Sequence, residues 1–188
     1  MPLVIKRFKD NRVVKCVLHR VADIPGGVTV STSELGGTAL FEGTPLGVGE
    51  NGLYKVCKTA QIITEATADA TSYEVAKGHH FQVGDLFATE SCNGKAIASI
   101  DKSDASKDVI TLASSLGAVV KAGTCAFESA GANKTLKVTP VAVAGSNNDV
   151  TPDGNLFVDA FVMAVVKKAS APIVSTAIET ALKGVIYV

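Results

Sequence analysis

Short stretches of two-residue apolar–polar alternation, broken by turn residues, dominate the chain and predict strands joined by tight turns. Val28-Thr29-Val30-Ser31 alternates cleanly, and Tyr54-Lys55-Val56-Cys57-Lys58-Thr59-Ala60 is a second alternating run. Between them lies the turn Gly49-Glu50-Asn51-Gly52, in which Asn-Gly is a strong hairpin cue. A hairpin is expected, with Phe41 and Leu46 on one arm and Tyr54 and Val56 on the other. Upstream, Val13, Val14, Val17, Leu18 and Val21 fit a strand or a helical stripe; β-branching favours the strand, which Pro25-Gly26-Gly27 stops.

The small polar run 64–71 reads as a linker, and a denser block follows it. Tyr73-Glu74-Val75, Asp85-Leu86-Phe87-Ala88, the segment 95–100 and Val109-Ile110-Thr111-Leu112 read as short strands. Turns at Lys77-Gly78, Val83-Gly84-Asp85 and Asn93-Gly94 separate them at the spacing of a small barrel or sandwich. A second link, 129–134, leads to strands at 135–140 and 141–144. The nearly continuous apolar run from Leu156 to Val166 predicts a strand buried on both faces. One helix is expected, with Ser170 as N-cap, Pro172 in the first turn, a stripe of Ile173, Val174, Ala177, Ile178, Ala181 and Leu182, and Gly184 as the stop. Val185-Ile186-Tyr187-Val188 then reads as a terminal strand.

The fold expected is mainly β. A small β-barrel or sandwich at 72–129 is inserted into a second β-rich domain, 36–71 with 130–188, that ends in one α-helix and a terminal strand. Residues 1–35 are expected to form an N-terminal arm or anchoring segment.

Composition narrows the function. A hydrophobic content of 47% in 188 residues fills a core. Eighteen basic and eighteen acidic side chains cancel, so no net field favours nucleic acid or an anionic membrane. The longest apolar run, about 11 residues interrupted by Asp159, is shorter than the roughly 20 needed for a membrane helix. Charges at Lys6, Arg7, Lys9 and Arg12 leave no signal-peptide core, so synthesis in a cytoplasm is expected.

Chemistry is sparse. Cys16, Cys57, Cys92 and Cys125 form no C-x-x-C pair and lie among β-formers, so they are expected to pack as small core residues. His79-His80 is the best candidate for catalysis or metal binding. Neighbours on a strand point to opposite faces, however, and no H-E-x-x-H run accompanies them, so a solvated or backbone-bonded turn is expected. No nucleophile elbow or phosphate-binding loop occurs; Gly47-Val48-Gly49-Glu50-Asn51-Gly52 is one residue short of G-x-G-x-x-G and fits a turn. No enzyme, catalytic residue, metal or cofactor is therefore expected, a hydrolase with a convergent site being the remote alternative.

The block Lys77-Gly78-His79-His80-Phe81-Gln82-Val83-Gly84-Asp85-Leu86, with Ala98-Ser99-Ile100-Asp101-Lys102-Ser103, Asp108-Val109-Ile110-Thr111-Leu112 and Leu116-Gly117-Ala118, resembles a recurring barrel of phage head-fibre and head-decoration proteins. Phe41-Glu42-Gly43-Thr44-Pro45-Leu46-Gly47 resembles that family's upstream hairpin, and Phe157-Val158-Asp159-Ala160-Phe161-Val162 with the Pro172 segment its C-terminal part. The resemblance covers roughly residues 36–188. It implies an auxiliary head protein of tailed phages, including crAss-like phages of gut bacteria, made in the host cytoplasm and carried on the capsid exterior. It also implies the major capsid protein as partner, and often a trimer. No long repetitive shaft is present, which favours a compact decoration protein over an extended fibre. An outward-facing receptor- or carbohydrate-binding module is the alternative, although sugar platforms usually exploit aromatics and Trp is absent here.

An apolar terminus is an aggregation hazard if left as a bare edge. The segment from Asn155 to Val188 is therefore expected to drive self-association, with Leu182, Ile186, Tyr187 and Val188 as the candidate contact residues.

Overall fold

The computed structural model describes residues 15–151 and 154–188. In chain order the strands are β1 (Val17–Asp23), β2 (Val28–Val30), β3 (Ala39–Leu40), β4 (Pro45–Val48), β5 (Tyr54–Val56), β6 (Thr59–Gln61), β7 (Ser72–Ala76) and β8 (Leu86–Thr89). They continue as β9 (Lys95–Asp101), β10 (Lys107–Leu112), β11 (Cys125–Glu128), β12 (Pro140–Ala144), β13 (Asn148–Asp149), β14 (Leu156–Val158), β15 (Ala160–Val166) and β16 (Val185–Tyr187). One helix, α1 (Thr176–Ala181), precedes β16. The chain is mainly β, with one helix and a terminal strand.

Two larger sheets organise these elements. An eight-stranded sheet runs β1-β15-β12-β4-β5-β2-β14, with β16 added to β15. A six-stranded sheet runs β6-β11-β8-β9-β10-β7, and β3 pairs separately with β13. The six-stranded sheet curls until its edges meet, because Ile62 bridges Val75 between the β6 and β7 segments. Its interior is filled by Tyr73, Phe81, Phe87, Ile97, Ile110 and Leu112, all buried. Alternation along β10 places Asp108, Ile110 and Leu112 inward, the period expected of a half-buried strand.

The six-stranded sheet uses only residues 59–128. It begins ahead of the expected boundary at 72, because the run 64–71 is part of the unit rather than a free link. Ala66 is buried and exchanges both backbone hydrogen bonds with Val120 at 2.9 Å. Residues 17–30 likewise lie within the eight-stranded sheet and not in an arm: β1 pairs with β15, and β2 with β14 and β5. The rest of the expected arm, 1–14, lies outside the described residues. Leu46 opposes Val56 in the expected hairpin, whose loop places Asn51 at φ 55°. Residues 135–139, expected as a strand, contribute only an isolated bridge from Leu136 to Ser129.

The run 156–166 is not one strand buried on both faces. Asp159 divides it into β14, on the sheet edge beside β2, and the internal strand β15. Phe157 is 62% exposed and Met163 46% exposed. The helix is also shorter than its apolar stripe suggests. A proline disfavours the helical conformation in the residue before it, and Ala171 is extended (φ −89°, ψ 158°). A 3-10 turn at Lys168–Ser170 therefore ends there, and α1 starts only after Ser175, whose hydroxyl accepts from the Ile178 N–H at 3.3 Å. Ile178 and Leu182 pack against Phe161, Ala164, Val166 and Val185.

β16 lies parallel to β15, with Val165 opposite Ile186, so the chain itself supplies the first cover for its apolar terminus. Leu182, 2% exposed, belongs to this internal core, whereas Ile186 and Val188 are each 61% exposed. Replacing Leu182 with Ala is expected to cost about 2–5 kcal/mol. Urea unfolding should show that loss while light scattering reports an unchanged oligomeric mass.

Candidate functional site

Two places concentrate chemistry or unsatisfied surface: a cleft between the sheets, and an apolar face on β15 and β16.

The cleft has a volume of about 710 Å³. Thr59–Gln61 and Ala76–His79 form one wall; Cys16, Phe41, Glu42 and the segment 168–174 form the other. Glu42 is buried and organises the rim. Its carboxylate accepts the Cys16 N–H at 2.8 Å, and its own N–H donates to Asn147 Oδ1 at 2.7 Å. The Cys16 thiol donates to the Glu42 carbonyl at 3.1 Å. Burial, reinforced by the Glu42 charge, pushes that thiol up to about 12, and burial does the same at Cys57. Cys125 is raised further by burial, and all four cysteines are buried and unpaired. A thiol held that high carries no thiolate at neutral pH and is inert as a nucleophile.

His79 and His80 depart from the solvated turn expected of them, since both are buried. His79 Nδ1 accepts the Phe81 N–H at 3.2 Å, which places the proton of a neutral ring on Nε2, 3.1 Å from Asp108 Oδ2. Asp108 is also held by Lys77 at 2.5 Å. Neither nitrogen of His80 has a hydrogen-bond partner among the described residues. The reason for burial is a close crossing. The Gly36 N–H donates to the His80 carbonyl at 3.0 Å, and Lys102 donates to the Gly36 carbonyl at 2.7 Å. A Cβ on Gly36 would stand 2.1 Å from the Phe81 carbonyl oxygen, and one on Gly37 would stand 2.8 Å from that of His79. Gly36-Gly37 reads in sequence as a turn, but it serves close approach; no local pattern distinguishes the two uses.

The crossings between the sheets, 57–58 and 129–139, are tied together by charge. Lys58 is only 2% exposed and contacts Asp85 at 2.6 Å and Glu128 at 3.6 Å. Glu128 is also held by Lys137 at 2.7 Å, and burial nevertheless pushes its carboxyl upward. Lys137 reaches Glu34 at 3.5 Å, and Lys55 pairs with Glu34 at 2.9 Å.

The apolar face is set by register. Val165 opposes His19 on one side and Ile186 on the other, so the three share a face. Met163, two residues from Val165, and Val188, two from Ile186, extend it. The neighbouring strand β1 adds exposed Leu18 and Val21. Of the candidate association residues, Ile186 and Val188 reach this surface, Tyr187 is half-buried and Leu182 faces inward. Met163 was missed in the sequence because a buried strand was expected around it. Among the described residues no cluster of His, Cys, Asp and Glu could hold a metal ion.

The chain matches no family model, no curated protein and no solved structure.

Burial pushes both His79 and His80 down to about 4 from an ordinary 6.5. At His79 the Asp108 charge opposes this shift; at His80 the nearby His79, Lys58 and Lys102 reinforce it. The native state thus binds fewer protons than the unfolded chain, and stability is full above pH 6.5, declines as the pH falls through the window to about 4, and levels off below it. His80→Phe should flatten the dependence of the urea midpoint on pH across that window. An identical slope in the variant would remove His80 from the acid response.

Proposed function

We propose that this chain is a structural, non-catalytic virion protein of a tailed phage, carried on the capsid exterior as a decoration or head-fibre component bound to the major capsid protein. The observation that carries this reading is the apolar face formed by exposed Met163, Ile186 and Val188 with half-buried Val165 among them, beside β1. A contiguous apolar surface on a rigid sheet marks a site of association. It lies on the C-terminal segment that resembles head-decoration proteins.

The geometry favours contact through the face rather than the strand edge. β1 is bulged at three places along its pairing with β15, and bulges discourage further strands from adding to an edge. Closed cyclic association buries such a face without leaving a copy of it exposed, and a homotrimer is the form proposed. Raised thiols support a structural role, as does the internal pairing of the cleft's cations, Lys77 with Asp108 and Lys168 with Glu179.

Two measurements test the proposal. The purified protein should co-sediment with phage capsids and run in light scattering as a multiple of one chain. Met163→Asp with Ile186→Asp should leave the fold intact, because both positions are largely exposed, and should weaken assembly at least ~10-fold, about 1.4 kcal/mol. Unchanged oligomer mass and capsid binding in this variant would contradict the reading.

A further inference from the structure

Where the chain passes between the sheets, three strands bring an amine, a carboxylate and a second carboxyl group to one buried point. β11 lies between β6 and β8, and its last residue, Glu128, donates its backbone N–H to the Lys58 carbonyl just ahead of β6. Phe127 opposes Thr59, so Glu128 and Lys58 face each other one step along and direct their side chains to the same face. On its other side Glu128 stands opposite Phe87, two residues beyond Asp85. Among the described residues Lys58 is the one lysine shut off from water, and Asp85 and Glu128 are almost as enclosed. Lys77, Lys107 and Lys137 also touch carboxylates, but their side chains remain 31% to 37% exposed.

The contacts give each group a role. Lys58 Nζ is 2.6 Å from Asp85 Oδ2, and a nitrogen so placed stands about 3–3.5 Å from the carboxyl carbon, the separation of a near-attack arrangement. The Gln82 N–H donates to the same oxygen at 2.7 Å, a fixed donor where negative charge gathers as an amine adds to that carbon. Glu128 is farther from the amine, at 3.6 Å, and is tied to Lys137 at 2.7 Å. Burial, reinforced by the Asp85 charge, pushes its carboxyl upward against the pull of the two lysines, which suits it to hold a proton between the other groups.

We propose that Lys58 and Asp85 condense to an intramolecular amide cross-link just ahead of β6 and β8, with Glu128 relaying the protons. The Nζ–Cγ bond forms and the Cγ–Oδ1 bond breaks. The ammonium nitrogen gives up two protons, which pass by way of Glu128 to Oδ1 and leave with it as water. Nothing is oxidised or reduced, and Glu128 ends as it began. Such a condensation is unfavourable between separate molecules in water. For an oriented neighbour the effective concentration reaches about 10⁵–10⁸ M, and here water is excluded and two buried charges give way to one neutral amide. The ion pair is the folded arrangement from which the bond forms. The inference does not depend on the virion reading.

Intact-mass spectrometry of the full chain, denatured after purification, tests it. The unmodified chain should be lighter than its sequence by one water molecule. Trypsin should fail to cut after Lys58 and should release the segment around Lys58 joined to the segment around Asp85. Asp85→Asn should give the same branched peptide at the same mass, with ammonia leaving in place of water, whereas Lys58→Arg should give two linear peptides and the full mass. Glu128→Gln should form the link at least ~100-fold more slowly, the scale of a lost proton relay. Slow exchange of the Val109–Leu112 amides shows that a variant is folded, and the mass of the unmodified chain decides the matter whether or not a variant folds. An unmodified chain of full mass, or a missing water located within one linear peptide, would overturn the cross-link. A folded Glu128→Gln chain that links at the unmodified rate would overturn the relay.

Discussion

A lysine buried where the chain crosses from one sheet to the other constrains the whole fold. Lys58 is 2% exposed, so its ammonium group is stable there only with Asp85 and Glu128 in place. Asp85 precedes β8, Glu128 ends β11, and Lys137 leads into β12. The same three carboxylate and ammonium contacts therefore fix both passages of the chain between the sheets. Backbone bonds run alongside them: the Glu128 N–H donates to the Lys58 carbonyl at 3.1 Å, and the Lys137 N–H to the Glu128 carbonyl at 3.0 Å. With the crossings fixed, Gly36-Gly37 can lie against His79 and Phe81, and the cleft has two walls at a set separation.

Sheet-forming segments were legible in the sequence wherever one face of a strand is buried, because burial enforces the two-residue period. The hairpin around Asn51-Gly52 and strands β7 to β10 are of this kind. Errors arose where tertiary contacts override a local pattern. Lys58 is a charge in phase with apolar Tyr54, Val56 and Ala60, and the alternation does not account for it; the run breaks at Cys57-Lys58 and its two halves join different sheets. Asp159 lies in an apolar stretch that reads as continuous, and the chain changes partner strand there. The helix begins later than its apolar stripe suggests, because the stripe continues through Pro172 and conceals the extended residue before it. His79-His80 looked solvated because nothing in their neighbours announces the glycine pair that packs over them.

The site was legible only in part. The C-terminal segment was expected to carry association, and exposed Ile186 and Val188 lie there; the terminal strand itself, however, is already paired within the chain. What is left for a partner is a face rather than an edge, with Met163 beside it. The cleft had no sequence signal, since its walls come from segments widely separated along the chain, from Cys16 to Val188.

The measurement that tests the physical core of this account most directly is unfolding of a Lys58→Met chain, followed by amide exchange in β10 and β15. Removing the cation leaves Asp85 and Glu128 buried without it, and the expected cost is about 3–5 kcal/mol. In the unmodified protein the two strands should open together. In the variant they should separate, with either sheet opening alone. A variant that keeps one shared transition and an unchanged denaturation midpoint would contradict the role assigned to Lys58.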